Sequence, residues 1–312
     1  MNTPPTVIIT GPTACGKTDL SLELARHFNA PVISADSRQC YRYLDIGTGK
    51  VSEDVRAEIP HYHISTHYPD QSCTAFDFAG YVARWKKEIT SLGTPVIIAG
   101  GSTLYIEALI RPLDPLPPRN DDHIRELEAM ADRAGLGEIQ KKLREVDPDY
   151  LEQIDGLNRH RMFRALDVWM QTGKPFSSFH MNCDISPPRH TIVICLDRDR
   201  TELHDRISRR IDQMLDDGLV DEVQSILDMG YHPDLQALKT VGYREPIAWI
   251  QNLLSKEQMQ ELIKTNTRRY ARRQLTWFRR WVGVHRFNLT EHPLPEVRNK
   301  LIQMIEQLAA ES

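Results

Sequence analysis

GPTACGKT, Gly11–Thr18, stands between a short apolar run, TVIIT (6–10), and an amphipathic one. It fits the spacing GxxxxGK[ST], with Gly11, Gly16, Lys17 and Thr18 at the defining positions. Glycines there let backbone N–H groups close around phosphate oxygens at a helix N-terminus, Lys17 adds a point charge, and the Thr18 hydroxyl is placed to hold Mg²⁺. With a strand before it and a helix after it, the stretch reads as a phosphate cradle. Gly11, Pro12, Thr13, Ala14, Cys15, Gly16, Lys17 and Thr18 supply its loop.

Outward from the cradle, PVISAD (31–36) and TPVIIAGG (94–101) are again short and rich in Val and Ile, with helix-like stretches between them. TIVICLD (191–197) resumes the rhythm much later. This is the pattern of a parallel sheet with crossover helices, an α/β P-loop NTPase-like core. RPLDPLPPRN, with prolines at 112, 115, 117 and 118, is a break that helices do not cross. DDHIRELEAMADRAG, LGEIQKKLREV, DPDYLEQI and NRHRMFRALDVWMQTG come next, each opened by Asp, Asn or Gly or closed by Gly or Pro. The expected organisation is a core of residues 1–119 and 186–312 carrying an α-helical insertion at 120–185.

A chain of 312 residues, 40% hydrophobic, is long enough for one large domain bearing a smaller one. It has no run of about 18 apolar residues and no basic leader, so a soluble, cytoplasmic protein without a membrane partner is expected. The five cysteines, Cys15, Cys40, Cys73, Cys183 and Cys195, are odd in number and form no CxxC pair. Neither a disulfide framework nor a zinc cluster is suggested. In HYHISTH, no acid or cysteine accompanies His61, His63 and His67, so surface or satisfied core histidines are expected. The net charge of −4 hides an asymmetry: from Leu262 to Thr290 there is no acidic residue, while Lys264, Arg268, Arg269, Arg272, Arg273, Arg279, Arg280 and Arg286 are basic. A basic surface on an acidic body implies a polyanionic partner.

Three further stretches carry chemistry. A kinase or NTPase needs a metal-holding acid at the end of a neighbouring strand. PVIIAGG ends in glycines, whereas PVISADSRQ ends in Asp36, near the sheet edge where ligands of open α/β folds bind. By spacing alone Asp36 is a metal ligand, a general base or a helix N-cap. GGSTLY (100–105) brings Ser102 and Thr103 to the same edge, either to meet a polar ligand or as a plain strand-to-helix turn. In TNTRRYARRQLTWFRRW, Arg268 aligns with Arg272 and Arg269 with Arg273 at helical spacing, with Tyr270, Trp277, Phe278 and Trp281 interleaved. Arginines beside stacking rings suit a single-stranded RNA loop; the alternative is a solvated cationic helix with buried aromatics.

GPTACGKT, ISADSRQCYRYLDIGTGK, PHYH, VIIAGGSTLYIEALI, NRHRMFRALDVWMQTGKP, LDRDRTELHDRISRRIDQMLDDGLVDEV, TVGYRE and TRRYARRQLTWFRRW together resemble the tRNA dimethylallyltransferases, also called tRNA isopentenyltransferases, of bacterial type. The likeness runs through nearly the whole chain. It implies that the cradle binds dimethylallyl diphosphate and that the prenyl group moves to N6 of the adenine immediately 3′ of a tRNA anticodon, giving N6-(dimethylallyl)adenosine and diphosphate. Such an adenine is extruded from its stack. The resemblance implies catalytic roles for Asp36 as general base, for Lys17 and for Mg²⁺ on Thr18 at the departing diphosphate. Ser102 stands where the family has a threonine that orients the substrate, and Arg125 matches a family arginine near the reaction centre if the proline stretch carries one extra residue; the resemblance gives both a catalytic role and a place among the tRNA contacts. Asp36, Ser37, Arg38 and Gln39 correspond to one tRNA-contacting strip, and His160, Arg161, Met162, Phe163 and Arg164 to another; Arg268, Arg272 and Arg273 extend the RNA surface. Cys15 replaces the usual serine, and Ile64 and Ser65 stand where the family has an aspartate.

Three rivals make different demands. A small-molecule P-loop kinase leaves the basic segment without a task. An adenylate isopentenyltransferase needs no RNA groove, and a non-catalytic RNA-binding module leaves GPTACGKT unexplained. Nothing in the sequence demands more than a monomer.

Overall fold

The computed structural model describes residues 4–111, 114–154, 157–179 and 186–311. Of the positions singled out above, Pro112, Cys183 and the segment 180–185 lie outside the described residues. Strands β1 (Thr6–Thr10), β2 (Val32–Ser34), β3 (His61–Tyr62), β4 (Val96–Ala99), β5 (Thr191–Asp197) and β6 (His285–Asn288) form one parallel sheet in the order β3-β2-β4-β1-β5-β6. The four apolar runs are β1, β2, β4 and β5. Neither edge strand stands out in the sequence: β3 has two residues, and β6 reads HRFN with His285 and Arg286 exposed.

All five residues of β1 are buried, because helices cover both faces of the sheet. The chain forms α1 (Lys17–Phe28), α2 (Glu53–Glu58), α3 (Ala75–Ser91) and α4 (Thr103–Ile110), then α5 (Asp121–Ala134), α6 (Leu136–Val146), α7 (Pro148–Gln153) and α8 (Arg159–Thr172). After β5 come α9 (Arg200–Asp216), α10 (Leu219–Asp228), α11 (Arg244–Ile250), α12 (Lys256–Phe278) and α13 (Leu294–Ala310). Alternation along β1 sends Val7 and Ile9 to one face, where they join Leu20 and Leu24 of α1, Leu203 and Ile207 of α9, and Leu301 and Ile305 of α13. Ile8 points the other way, into a cluster with Phe78 and Val82 of α3, Tyr105 and Ile106 of α4, and Phe278 and Trp281 at the end of α12.

The chain divides into two compact units, Met1–Arg111 with Asp184–Ser312, and Pro112–Cys183. In the second, α5, α7 and α8 begin at side-chain caps from Asn120, Asp147 and Asn158. Leu127, Ile139, Leu143, Met162, Phe163 and Leu166 are its core. Fully buried Asp167 is satisfied by Arg164 at 2.7 Å, Gln171 at 2.8 Å and His123 at 3.2 Å. An unpaired carboxylate at that depth would be prohibitive.

Candidate active site

The loop between β1 and α1 is shaped by contacts that tolerate little change. Gly11 has φ 145°, and a Cβ there would stand 2.3 Å from the Leu196 carbonyl of the adjacent β5, so no other residue fits. Ala14 is left-handed at φ 64°, a conformation costing about 1–2 kcal/mol. Arginines from α9 and its approach hold it there: Arg206 Nε donates to Ala14 O at 2.8 Å and Arg198 Nε to Cys15 O at 2.9 Å. Lys17 Nζ donates to Gly11 O at 3.0 Å and Pro12 O at 2.6 Å, which parks the ammonium across the mouth of the loop. Cys15 is buried, with its thiol pushed up by desolvation, and its backbone N–H donates to Pro12 O at 3.4 Å.

Gln274 of α12 braces this loop against the turn after β4. Its Oε1 accepts from Thr13 N at 2.9 Å, and its Nε2 donates to Gly101 O at 2.8 Å. Gln274→Ala leaves the buried Gly101 carbonyl and the half-buried Thr13 N–H without that partner. A stability loss of about 1–3 kcal/mol is expected in a denaturant titration.

Asp36 lies just beyond β2, where its Oδ1 accepts from Arg38 N at 2.8 Å. It therefore caps a turn and not a helix, and its carboxylate helps to form a cavity wall. Ser102 is buried at the start of α4 without capping it; its hydroxyl instead accepts from Ser37 N at 2.8 Å and lies 3.1 Å from Ser37 Oγ. Ser102 thus positions the turn that carries Asp36. Gln39 accepts from Ser34 Oγ at 2.8 Å and donates to Thr48 O and Gly49 O at 3.3 and 3.2 Å. The DIGTGK loop beyond it closes on Glu222 of α10, whose carboxylate accepts from the N–H groups of Asp45, Ile46 and Gly47 and from Tyr243 Oη at 2.6 Å.

Two adjoining cavities meet at Asp36. One, of about 270 Å³, is polar: Thr13, Lys17, Thr18, Asp19, Gly100, Arg206, Arg210 and Gln274 are on its walls. The other, of about 230 Å³, shares Thr13, Ala14, Asp36, Thr48, Arg210 and Tyr270 with the first and adds Ile207, Ile211, Met214, Leu219, Val241 and Ile263. Burial lowers the Arg210 guanidinium, opposed first by Asp36 and then by Asp19. Tyr270 is pushed above the ordinary phenol range by burial and by the Asp36 carboxylate, so it keeps its proton. β4, beside β1, ends in Ala99, Gly100 and Gly101; β5, on the other side, ends in Asp197, whose carboxylate accepts from Arg198 N at 2.8 Å and does not line the polar cavity. Neither of these two strand ends puts a carboxylate on the wall of the polar cavity, where a phosphoryl-transfer enzyme would hold its metal-binding acid.

The basic segment comprises the C-terminal half of α12 and the residues after it, through Arg286 on β6. Phe278 and Trp281 are buried against the sheet, so of the two alternatives for the rings of this segment these two take the buried one; the sheet needs an apolar cover there. Trp277 carries Arg280 at 4.1 Å over its ring, and Arg273 lies 5.9 Å from the Tyr270 ring. Lys264 pairs with Asp212 at 2.6 Å, Arg268 donates to Ser208 Oγ at 2.9 Å, and Arg286 donates to Phe278 O at 2.8 Å. Arg269, Arg272, Arg273, Arg279 and Arg280 are exposed and carry no ion pair among the described residues.

Of the strip on α8, Met162 and Phe163 are buried in their unit's core, so hydrophobic packing claims two positions that the resemblance assigned to RNA. His160 and Arg161 are exposed, and Arg164 is committed to Asp167 and to Pro117 O. Arg125, on α5, is largely exposed in an ion pair with Asp122. Sequence reasoning missed Arg206, Arg210, Tyr270, Gln274 and Glu222 as parts of the site. Arg206 and Arg210 share one face of α9 at i,i+4 spacing, the one signal by which they could have been found.

A glycine-bordered loop whose polar cavity takes no carboxylate from β4 or β5, adjoining a second cavity with an aliphatic wall, fits an α/β group-transfer enzyme. The family model described as IPP transferase matches residues 39–281. The chain belongs to that family. It is 38% identical over 287 residues to the tRNA dimethylallyltransferase of Alkaliphilus oremlandii, covering 92% of each chain. It is 40% identical over 287 residues to that of Acetivibrio thermocellus, covering 91% of this chain and 92% of the relative. The crystal structure of tRNA delta(2)-isopentenylpyrophosphate transferase from Staphylococcus epidermidis superposes with a TM-score of 0.69 at 34% identity, covering 97% of this chain and 99% of that one. Among the described residues no helix is long and apolar enough to cross a membrane.

Proposed function

We propose that this chain transfers the dimethylallyl group of dimethylallyl diphosphate to N6 of the adenine immediately 3′ of a tRNA anticodon, releasing diphosphate. The observation that carries the reading is the placement of Asp36 on the walls of both the polar cavity and the adjoining one with its aliphatic wall. The cradle amides, Lys17, Arg206 and Arg210 gather the charge that builds on the departing diphosphate. Ile207, Ile211, Met214 and Val241 offer the prenyl chain a dry wall. Asp36 accepts the proton from the exocyclic amine as the new C–N bond forms. Its geometry is held by the Arg38 N–H and, through Ser37, by the Ser102 hydroxyl, so Ser102 is a positioning residue.

The donor set also suits a hard divalent cation such as Mg²⁺: the Thr18 hydroxyl and the Asp19 carboxylate are on the cavity wall beside the cradle. Bound there with substrate, the ion would offset diphosphate charge. The exposed arginines of α12 supply an RNA-facing surface on the first unit, His160 and Arg161 of α8 supply one on the second, and the protein works in the compartment that holds tRNA. Incubation with labelled dimethylallyl diphosphate and either an anticodon stem-loop RNA or AMP tests the activity. Label on the RNA is expected; label on AMP alone would select the free-nucleotide enzyme.

Arg272→Ala with Arg273→Ala tests the RNA surface. Weaker stem-loop binding is expected, and the slope of log affinity against log salt should become shallower by about 0.7 for each phosphate that is no longer neutralised. An unchanged slope would place the RNA elsewhere.

A further inference from the structure

Cys40, His63, His67 and Cys73 come together beside the turn that carries Asp36, each offering one ligand atom, and the four atoms all lie within 4.8 Å of one another. We propose that they form a structural Zn²⁺ site that fastens the Asp36–Gln39 turn to the N-terminus of α3. Linear spacing hides the cluster and misled the expectation of unrelated thiols and histidines. Cys40 follows β2, the histidines follow β3, and Cys73 precedes α3, so the parallel crossover alone brings them together.

The donor set is two thiols and two imidazoles, the soft and borderline ligands that select zinc in closed four-coordinate sites. Donors at 2.0–2.3 Å from a tetrahedral centre lie about 3.3–3.8 Å apart, so a contraction of roughly 1 Å closes the cage. One edge is already near that length: Cys73 Sγ is 3.5 Å from His63 Nε2. His63 is oriented as a ligand is. Its Nδ1 lies 3.0 Å from the Ser34 carbonyl, which can only accept, so the proton sits on Nδ1 and the Nε2 lone pair faces the thiols. His63 is fully buried among the rings of Phe78, Tyr81 and Tyr105, and His67 lies beside Tyr81, so both imidazoles are held in place by packing.

The frame is rigid before any ion arrives. His67 N donates to Cys40 O at 2.9 Å, Arg42 N to His67 O at 2.7 Å, and Ser65 N to Gln39 O at 3.0 Å, locking the two loops side by side. Tyr105 Oη donates to Cys73 O at 2.9 Å, and Thr74 and Asp77 form a capping box, so Cys73 stands at a helix N-terminus whose field favours thiolate. With four protein ligands no position is left for water or substrate. The site is therefore structural, and it is independent of the prenyl-transfer reading.

The test is metal analysis of the full-length protein purified under reducing conditions. About one equivalent of zinc per chain is expected, with Cys73→Ser and His67→Gln each lowering zinc affinity about tenfold or more. Circular dichroism establishes whether each variant is folded. Because a variant can fail to fold, metal-free wild type is also titrated with Co²⁺. Tetrahedral d–d absorption with a thiolate charge-transfer band, displaced by zinc, supports the site. Octahedral cobalt, or no uptake of either ion by the reduced protein, overturns it.

Discussion

Asp36→Asn lowers turnover by about two to four orders of magnitude while leaving stem-loop RNA affinity within a few-fold of wild type. Asparagine is nearly the same size, and its side-chain oxygen still accepts from Arg38 N, so the 2.8 Å turn contact survives. What disappears is an acceptor able to take a proton from an amine, a contribution of about 10²–10⁴ in rate. Asp36→Ala removes both the base and the turn contact; if it is no slower than the asparagine variant, proton acceptance and not turn geometry is what Asp36 supplies. Single-turnover kinetics beside filter-binding of the same RNA separates chemistry from affinity. A turnover equal to wild type in the asparagine variant removes the base assignment.

The second large effect belongs to Lys17. In Lys17→Met the loop loses the two bonds to Gly11 O and Pro12 O and the cavity loses its nearest ammonium. The charge that develops on the leaving diphosphate is then met by amides and by Arg206 and Arg210 from one side, and kcat is expected to fall by about 10²–10³. The deficit should appear in diphosphate release as strongly as in RNA labelling, because one bond cleavage governs both. Lys17→Arg restores charge but not shape: a planar fork does not reproduce a compact ammonium in the loop mouth, so only partial rescue is expected. If the methionine variant keeps kcat and raises KM alone, Lys17 binds ground state and transition state equally, and its catalytic role is lost.

Those parts of the site that lie within a few residues of each other were legible from the chain. GPTACGKT is one continuous stretch running from the loop into α1, and TVIIT, PVISAD, TPVIIAGG and TIVICLD announce central strands because burial on both faces demands unbroken apolar runs. The edge strands are different. β6 pairs on one side only, so HRFN keeps a histidine and an arginine in solvent and carries no such pattern. Cap residues such as Asn120, Asp147 and Asn158 mark helix starts locally and were readable for that reason. Gln274, by contrast, meets Thr13 from 261 positions away, and its amide looks like any other on an amphipathic helix. The aromatics of α12 were ambiguous for a physical reason: a ring that stacks on a base and a ring that covers a sheet have the same spacing along a helix. Only the packing of Phe278 and Trp281 against Ile8 and its neighbours resolves them.

The strand order places β1 between β4 and β5, and β5 lies beyond the whole helical segment in the chain. During synthesis the amino-terminal loop therefore leaves the ribosome long before its second flank exists. The Leu196 carbonyl against which Gly11 is moulded belongs to that flank, and the arginines that pin Ala14 and Cys15 emerge after it. A nascent chain stopped before residue 191 holds the signature octapeptide without the walls that shape it. The shape of the anion-gripping loop is thus completed only by residues far along the chain, the last of these braces being Gln274.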